Sequence, residues 1–260
     1  MILSITQTVL AVVSGSIVGY SLGLVGGGGS ILAVPLLVYV VGLDNPHVAI
    51  GTSAIAVAAS AGGNLAMHAR AGNVKWRCSA VFAVAGVAGA FLGSSLGKMM
   101  DGQKLLSLFA ILMLIVGALM LRDRHRVGDA GVKLSGENLP KLLGLGLAAG
   151  VLSGFFGIGG GFLIVPALML ATGMHTLNAI ASSLVSVTAF GLTTAGNYAW
   201  SGLVDWKLAG LFIAGGLAGG FLGARTAKSL SNHKGGLTTV FAMMIFAVAL
   251  YMLSRSLNLL

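Results

Sequence analysis

The first charged side chain of this sequence is Asp44, so the chain opens with a long stretch that has no charge at all. Similar apolar runs follow, separated by short polar breaks, over residues 48–67, 78–96, 105–121, 142–174, 177–200, 206–224 and 237–253. A helix needs about 20 apolar residues to cross the hydrocarbon core of a bilayer, and most of these runs reach that length. The pattern predicts an all-α polytopic membrane protein.

The composition excludes most other classes of protein. Charged residues make up 8% of the chain and hydrophobic residues 57%, whereas a soluble globular protein carries about 25% charged residues. The net charge of +9 does not indicate a nucleic-acid partner, because the basic residues lie in the breaks between apolar runs, where topogenic charge is placed. The single cysteine, Cys78, allows neither an intramolecular disulfide nor a cysteine-based metal cluster. Membrane lipid is therefore the expected environment.

The two halves of the chain repeat each other. The longest match aligns residues 19–35 with residues 150–166. Further matches in the same order pair Ala49–Ser53 with Ala179–Ser183, Asn64 with Asn197, Trp76 with Trp206, Gly89–Gly93 with Gly219–Gly223, and Lys98 with Lys228. Such order indicates an internal duplication. We therefore predict a first transmembrane repeat over residues 1–121, a basic connecting loop over residues 122–141, and a second transmembrane repeat over residues 142–260.

Each repeat opens with an apolar stretch that glycines interrupt. The segments after the glycines, residues 31–42 and 162–173, would form only about 18 Å of helix each, which is too short to span. We predict two half-helices that begin at glycine turns inside the membrane, each in a re-entrant or broken hairpin followed by three ordinary spans. The distribution of Lys and Arg leaves parallel and inverted repeats open. We favour inverted repeats, because alternating access then follows from one site between two mirror-related halves.

The two glycine clusters are the strongest candidates for a binding site. Unwound backbone inside a bilayer either lines a cavity or is buried in protein, and the N-terminal amides of a half-helix bind anions without a charged side chain. The alternative is close helix packing by small residues, which we expect for Gly86, Gly89 and Gly93. The predicted substrate-binding residues of the clusters are Gly26, Gly27, Gly28, Gly29, Ser30, Gly157, Gly159, Gly160 and Gly161.

Small polar side chains in the following spans complete the candidate site: Thr52, Ser53, Asn64, Ser182, Ser183 and Asn197. The hydroxyl groups either donate hydrogen bonds to an anion or cap and pack helices. The two asparagines lie deeper in uncharged sequence, where an amide must find partners. They either contact the ligand or join neighbouring helices by hydrogen bonds.

Catalytic machinery is not evident in the sequence. All six acidic residues lie in the breaks between apolar runs, so no carboxylate stands inside the membrane for a proton relay or a cation site. No triad, carboxylate pair or metal-ligand cluster is recognisable, and neither glycine cluster is followed by the Lys-Ser/Thr of a phosphate loop. We predict no catalytic residue, no metal site, no cofactor and no enzyme activity. Any transport is secondary or passive.

The cluster Gly-x-x-Gly-x-Gly-Gly-Gly with a following proline, present in residues 154–166 and duplicated in a chain of this length, resembles the TauE/SafE family of membrane permeases, the sulfite exporters. In the first copy, Gly27 and Ser30 stand where the second copy has Ile158 and Gly161. The resemblance implies a multi-pass transporter of the bacterial inner (cell) membrane for the export or uptake of sulfur-containing anions, such as sulfite, sulfoacetate or taurine-type sulfonates, and we favour export.

Two alternatives to a transporter remain at this point. One is an anion channel, and the other is a non-transporting membrane scaffold or assembly subunit. The exact substrate, its direction and the coupling ion stay open, and so does assembly into a homo-oligomer.

Overall fold

The computed structural model describes residues 4–122, 129, 131–157, 159, 161–230 and 246–254. Its helices are α1 (Ile5–Val25), α2 (Gly26–Val40), α3 (Pro46–Arg70), α4 (Trp76–Met99), α5 (Gly102–Arg122), α6 (Leu139–Phe156), α7 (Gly161–Thr172), α8 (Thr176–Trp200), α9 (Trp206–Leu230) and α10 (residues 246–254). Within the described residues, one isolated bridge between Asp129 and Met174 is the only β-type pairing. The prediction of an all-α fold is confirmed.

Seven of the described helices are long and apolar enough to cross a membrane: α1, α3, α4, α5, α6, α8 and α9. The short apolar helices α2 and α7 begin inside the two glycine clusters, at Gly26 and Gly161, and neither is among the candidate spans. The two predicted short segments are confirmed, except that the first helix already includes Gly26–Gly29. In α2 the backbone is a tight 3₁₀ helix over Gly26–Leu32 and widens to π-helical turns over Leu36–Val40. Of the last predicted span, residues 237–253, the part before residue 246 lies outside the described residues.

The centre of the fold is the pair α3 and α8. Each has 25 residues, and 67% of the most apolar window of each is buried, compared with at most 44% in the other spans. The two helices run antiparallel. Gly51, near the start of α3, lies against Tyr198 near the end of α8, whereas Gly191 lies against Ala54 and Ala58. The start of each central helix is therefore close to the end of the other.

The outer helices form two pairs, α1 with α9 and α4 with α6. In each pair the two helices run parallel and touch through glycines. On α1, Gly19 and Gly23 meet the backbone of α9 at Gly216 and Gly220. On α4, Gly86, Gly89, Gly93 and Gly97 meet the backbone of α6 in the same manner. A Cβ atom at any of these positions would overlap the neighbouring main chain, so only glycine permits the observed approach. The prediction that Gly86, Gly89 and Gly93 pack helices is confirmed.

Two glycines of α6 offer a matched test of this packing. A Cβ atom at Gly150 would overlap the backbone of Gly86, while one at Gly144 would meet no atom within 4 Å. We expect Gly150→Ala to lower the folding stability by about 1–3 kcal/mol. The added methyl group would meet main-chain atoms of α4, so the two helices would have to separate. Gly144→Ala should leave stability unchanged or raise it by up to about 1 kcal/mol through helix propensity. Melting temperatures of the purified proteins in one detergent compare the two, and equal melting would show that this contact tolerates a methyl group.

Candidate functional site

The two glycine clusters meet inside the protein. Gly26 ends α1 with φ +70° and Gly157 ends α6 with φ +68°, a conformation that side chains disfavour. The chain then turns back, and Gly29 packs against the backbone of α1. Gly27 lies directly against Gly161, and a Cβ atom on either residue would overlap the main chain of the other. We call the meeting point of residues 26–30 with residues 157–161 the glycine junction.

The junction is buried in every part that the structure describes. Gly26, Gly27, Gly28, Gly29, Ser30, Gly157, Gly159 and Gly161 are all inaccessible or nearly so, and Gly160 lies outside the described residues. The first turn of any helix leaves backbone N–H groups without partners inside the helix. Because α2 and α7 both begin at the junction, such groups from two helices converge there. This arrangement suits a small anion.

Apolar side chains of the central helices enclose the junction. Ile180 of α8 packs against Gly26, and Ile50 of α3 packs against Gly157. Val187 stands beside both Gly27 and Gly159. The sequence analysis missed these wall residues because they are hydrophobic, although Ile50 and Ile180 belong to the repeated pentads. A ligand at this place would be held in surroundings of low polarity, where each hydrogen bond counts for more than in water.

Two of the predicted hydroxyl groups reach the junction. The backbone N–H of Gly27 donates to Ser183 Oγ at 3.3 Å, and Ser30 Oγ donates to the carbonyl oxygen of Gly27 at 2.8 Å. Ser183 Oγ in turn donates to the carbonyl oxygen of Ile180. Ser53 makes the corresponding bond on α3, to the carbonyl oxygen of Ile50 at 2.9 Å. Ser30 and Ser183 thus fix the local backbone of the first cluster.

Thr52 and Ser182 lie at turns between helices. Thr52 Oγ1 accepts a hydrogen bond from the backbone N–H of Asp205 at 3.0 Å, just before α9. Ser182 Oγ accepts one from the backbone N–H of Lys75 at 2.9 Å, just before α4. Thus α3 holds the turn after α8, and α8 holds the turn after α3. The structure brings Ser183 to the junction but places Thr52 and Ser182 at these turns.

The two asparagines have different surroundings. Asn197 Nδ2 donates to Ser94 Oγ at 2.7 Å and to Ser95 Oγ at 3.0 Å, and its Oδ1 accepts from Lys98 Nζ at 2.7 Å. Asn64 Nδ2 donates to the carbonyl oxygen of Ser60 in its own helix, while its buried Oδ1 has no partner in the described protein. Since α3 and α8 have equal lengths, Asn64 corresponds by position to Thr194 and not to Asn197.

This difference predicts opposite results for the same substitution. Asn197→Leu removes the bonds to Ser94 and Ser95 and one of the acceptors of Lys98, so we expect a stability loss of about 1–3 kcal/mol. Asn64→Leu removes one weak internal bond together with an unsatisfied acceptor, so the stability should change by less than about 1 kcal/mol. Thermal unfolding of both variants in the same detergent provides the comparison. A larger loss for Asn64→Leu would contradict the assignment.

The acidic side chains that the structure describes all stand outside the helices. They are Asp44, Asp101, Asp129, Glu137 and Asp205, and Asp123 lies outside the described residues. For these five, the prediction that acids lie in the connecting segments is confirmed. His68, near the end of α3, is a buried imidazole whose Nε2 has no hydrogen-bond partner in the described protein. Among the described residues, no group of three or more His, Cys, Asp or Glu side chains is arranged to hold a metal ion.

Comparison with known proteins places this architecture. The family described as "Sulfite exporter TauE/SafE" matches residues 11–252. A "Probable membrane transporter protein" of Xylella fastidiosa (strain 9a5c) is 52% identical over 255 residues, which cover 98% of each chain. The "Probable membrane transporter protein YunE" of Bacillus subtilis (strain 168) is 28% identical over 246 residues, or 86% of this chain and 90% of the relative. No solved structure matches the chain significantly.

Proposed function

Because the chain belongs to the TauE/SafE family of membrane transporters, we propose that it is a secondary transporter of small sulfur-containing anions, such as sulfite and organosulfonates, and that it exports them. The observation that carries this proposal is the meeting of the two glycine turns at Gly27 and Gly161. Two helices begin at this buried point, and the first-turn amides and positive dipole end of a helix favour an anion.

The chemistry of the junction fits a sulfonate better than a strongly basic anion. A sulfonate keeps its single charge at any physiological pH and presents three oxygen acceptors. Backbone N–H groups and serine hydroxyls, such as that of Ser183, supply several modest hydrogen bonds instead of one strong ion pair. The side chains packed against Gly26 and Gly157, Ile180 and Ile50, are apolar and supply no counter-charge. Release of the anion then requires breaking only weak bonds.

The course of the central helices supports inverted repeats. The duplication pairs α3 with α8, and these two helices run antiparallel, with Gly51 beside Tyr198 and Gly191 beside Ala54. Each outer pair, α1 with α9 and α4 with α6, joins one helix of the first half to one helix of the second half. Two halves related in this manner, with one site between them, are the arrangement from which alternating access follows.

Binding and flux measurements on the purified protein test the proposal. Thermal unfolding is followed with sulfite, sulfoacetate, taurine, sulfate and acetate, and a ligand at 100 times its Kd should stabilise the fold by about 2.7 kcal/mol. Proteoliposomes then report efflux of the stabilising anion. Stimulation of efflux by the same anion on the opposite side indicates a carrier, whereas fast flux without such stimulation indicates a channel. Absence of both stabilisation and flux for every sulfur anion would contradict the proposal and favour a scaffold.

A further inference from the structure

Three hydroxyl groups of α8 are buried without a partner. Ser186, Thr194 and Tyr198 are each fully buried, and the structure gives none of their hydroxyl oxygens a hydrogen-bond partner within the described protein. Thr194 follows Ser186 by eight residues and Tyr198 follows Thr194 by four, so all three lie on one ridge of the helix. A buried hydroxyl left unpaired costs about 1–3 kcal/mol, and buried polar side chains are rarely left in that state. Three in one row point to a common polar occupant.

The ridge leads from the glycine junction to one edge of the membrane domain. At its inner end, Ser186 is next to Val187, which stands beside Gly27. At its outer end, Tyr198 lies two residues before the last residue of α8. There the ring of Tyr198 is 5.9 Å from the Nζ atom of Lys98. The row of hydroxyls thus connects a lysine at the edge with the junction inside.

Lys98 carries its charge among neutral acceptors. Its Nζ donates to the backbone oxygen of Asn197 at 3.0 Å, to Asn197 Oδ1 at 2.7 Å and to Ser201 Oγ at 2.8 Å. None of these acceptors is a carboxylate, so the positive charge is solvated but not neutralised by them. A cation held in this way at the rim of a low-dielectric region raises the local concentration of anions.

The corresponding positions of α3 repeat the feature. Asn64 and His68 stand at the positions of Thr194 and Tyr198, and both are buried with an unpartnered polar atom, Oδ1 and Nε2. Because α3 and α8 run antiparallel, His68 and Tyr198 lie at opposite ends of the pair. Each central helix therefore carries an unpaired polar row that extends towards a different side of the membrane.

We propose that these two rows are hydrated half-paths through which an anion reaches the glycine junction from the two sides, with Lys98 attracting it at the mouth of the α8 half-path. This inference rests on the transport function proposed above. Between Ser186 and Thr194 the same ridge carries Phe190, which stacks on Phe82 with 6.4 Å between ring centroids. The aromatic pair separates the inner hydroxyl from the outer two and keeps this half-path closed towards the junction.

Cysteine labelling tests the half-paths without any transported substrate. In a Cys78→Ala background, Thr194→Cys and Asn64→Cys are exposed in sealed proteoliposomes to membrane-impermeant methanethiosulfonates, one carrying a sulfonate and one a trimethylammonium group. Leu192→Cys, on the exposed face of α8, is the lipid-facing control, and Ser201→Cys marks an accessible edge. We expect Thr194→Cys to react at least ten times faster than Leu192→Cys, from one side only, and Asn64→Cys from the opposite side only.

The charge of Lys98 supplies the second readout. Adding Lys98→Met to Thr194→Cys should lower the ratio of sulfonate to trimethylammonium labelling rates by about ten-fold. Lys104→Met removes an equal charge from an exposed position in the first turn of α5 and should leave the ratio nearly unchanged. Size-exclusion profiles verify folding. If Thr194→Cys aggregates, Ser186→Cys replaces it. We expect slower labelling at residue 186, because Phe190 lies between it and the outer end of the row.

Two results would overturn the proposal. One is absence of labelling at residues 64, 186 and 194 from either side while Ser201→Cys reacts, since the hydroxyls would then be ordinary buried groups. The other is a labelling ratio that ignores Lys98. Labelling as expected in a protein that moves no sulfur anion would contradict the proposed substrate and leave the half-paths standing, so the two failures are distinguishable.

Discussion

Gly161→Ala should lower transport by about 5–150-fold, while Gly196→Ala should leave it intact. A methyl group at position 161 would overlap the main chain of Gly27, so the two glycine turns must move apart. Overpacking of this kind costs about 1–3 kcal/mol, which corresponds to a loss of about 5–150-fold in the population of the competent arrangement. At Gly196, on α8, a methyl group meets no atom within 4 Å. Flux of the best sulfur anion in proteoliposomes, normalised to inserted protein, measures the difference.

Reciprocity provides the control for the junction. A Cβ atom at Gly27 would approach Cα of Gly161 to 2.6 Å, so Gly27→Ala should reproduce the defect of Gly161→Ala. Membrane insertion of all three variants should equal that of the parent, because the hydropathy hardly changes. Normal flux and normal melting in Gly161→Ala would mean that the two clusters need not touch, and the binding site would have to be sought elsewhere.

The local structure of the site could be predicted from the sequence, but its tertiary contacts could not. The half-helix after Gly161 was predictable because its length is fixed by glycine at one end and a polar break at the other. That Gly27 lies against Gly161 depends on how the halves pack, which no local pattern records. For the same reason Thr52 was a reasonable ligand by residue type, yet its hydroxyl is used to hold the turn at Asp205.

The register between α3 and α8 explains why the predicted pairing of Asn64 with Asn197 fails. Matching amides suggested that Asn64 and Asn197 are equivalent, but position along two helices of 25 residues pairs Asn64 with Thr194. Asn197 instead bonds to α4 through Ser94 and Ser95. The sequence did not predict a role for Thr194 and Tyr198, because single hydroxyl groups in a long apolar run form no recognisable motif. Their burial without partners is visible only once the helices are packed.

Flux of a monovalent sulfur anion through this protein should follow the membrane voltage. The acidic side chains that the structure describes all lie outside the helices, so no carboxylate in this part of the chain is placed to carry a compensating proton. Moving one charge through 100 mV is worth about 2.3 kcal/mol, or an accumulation of about 50-fold. In proteoliposomes with an imposed potassium-diffusion potential, the anion should leave the negative compartment, and the flux should reverse when the potential is reversed.

A pH gradient at zero voltage is the discriminating control, because the spans are not free of groups that bind protons. His68 is buried in α3 with an unpartnered Nε2, and His175 caps the start of α8 by accepting from the backbone N–H of Leu177 at 3.3 Å. An imidazole can bind and release a proton, so these two are the side chains by which a proton would be coupled. With the voltage clamped near zero, we expect a pH gradient to drive little accumulation of the anion in the parent protein. His68→Gln and His175→Gln should then accumulate as little as the parent. Strong uptake driven by pH alone, lost in either variant, would replace voltage-driven export with proton-coupled symport.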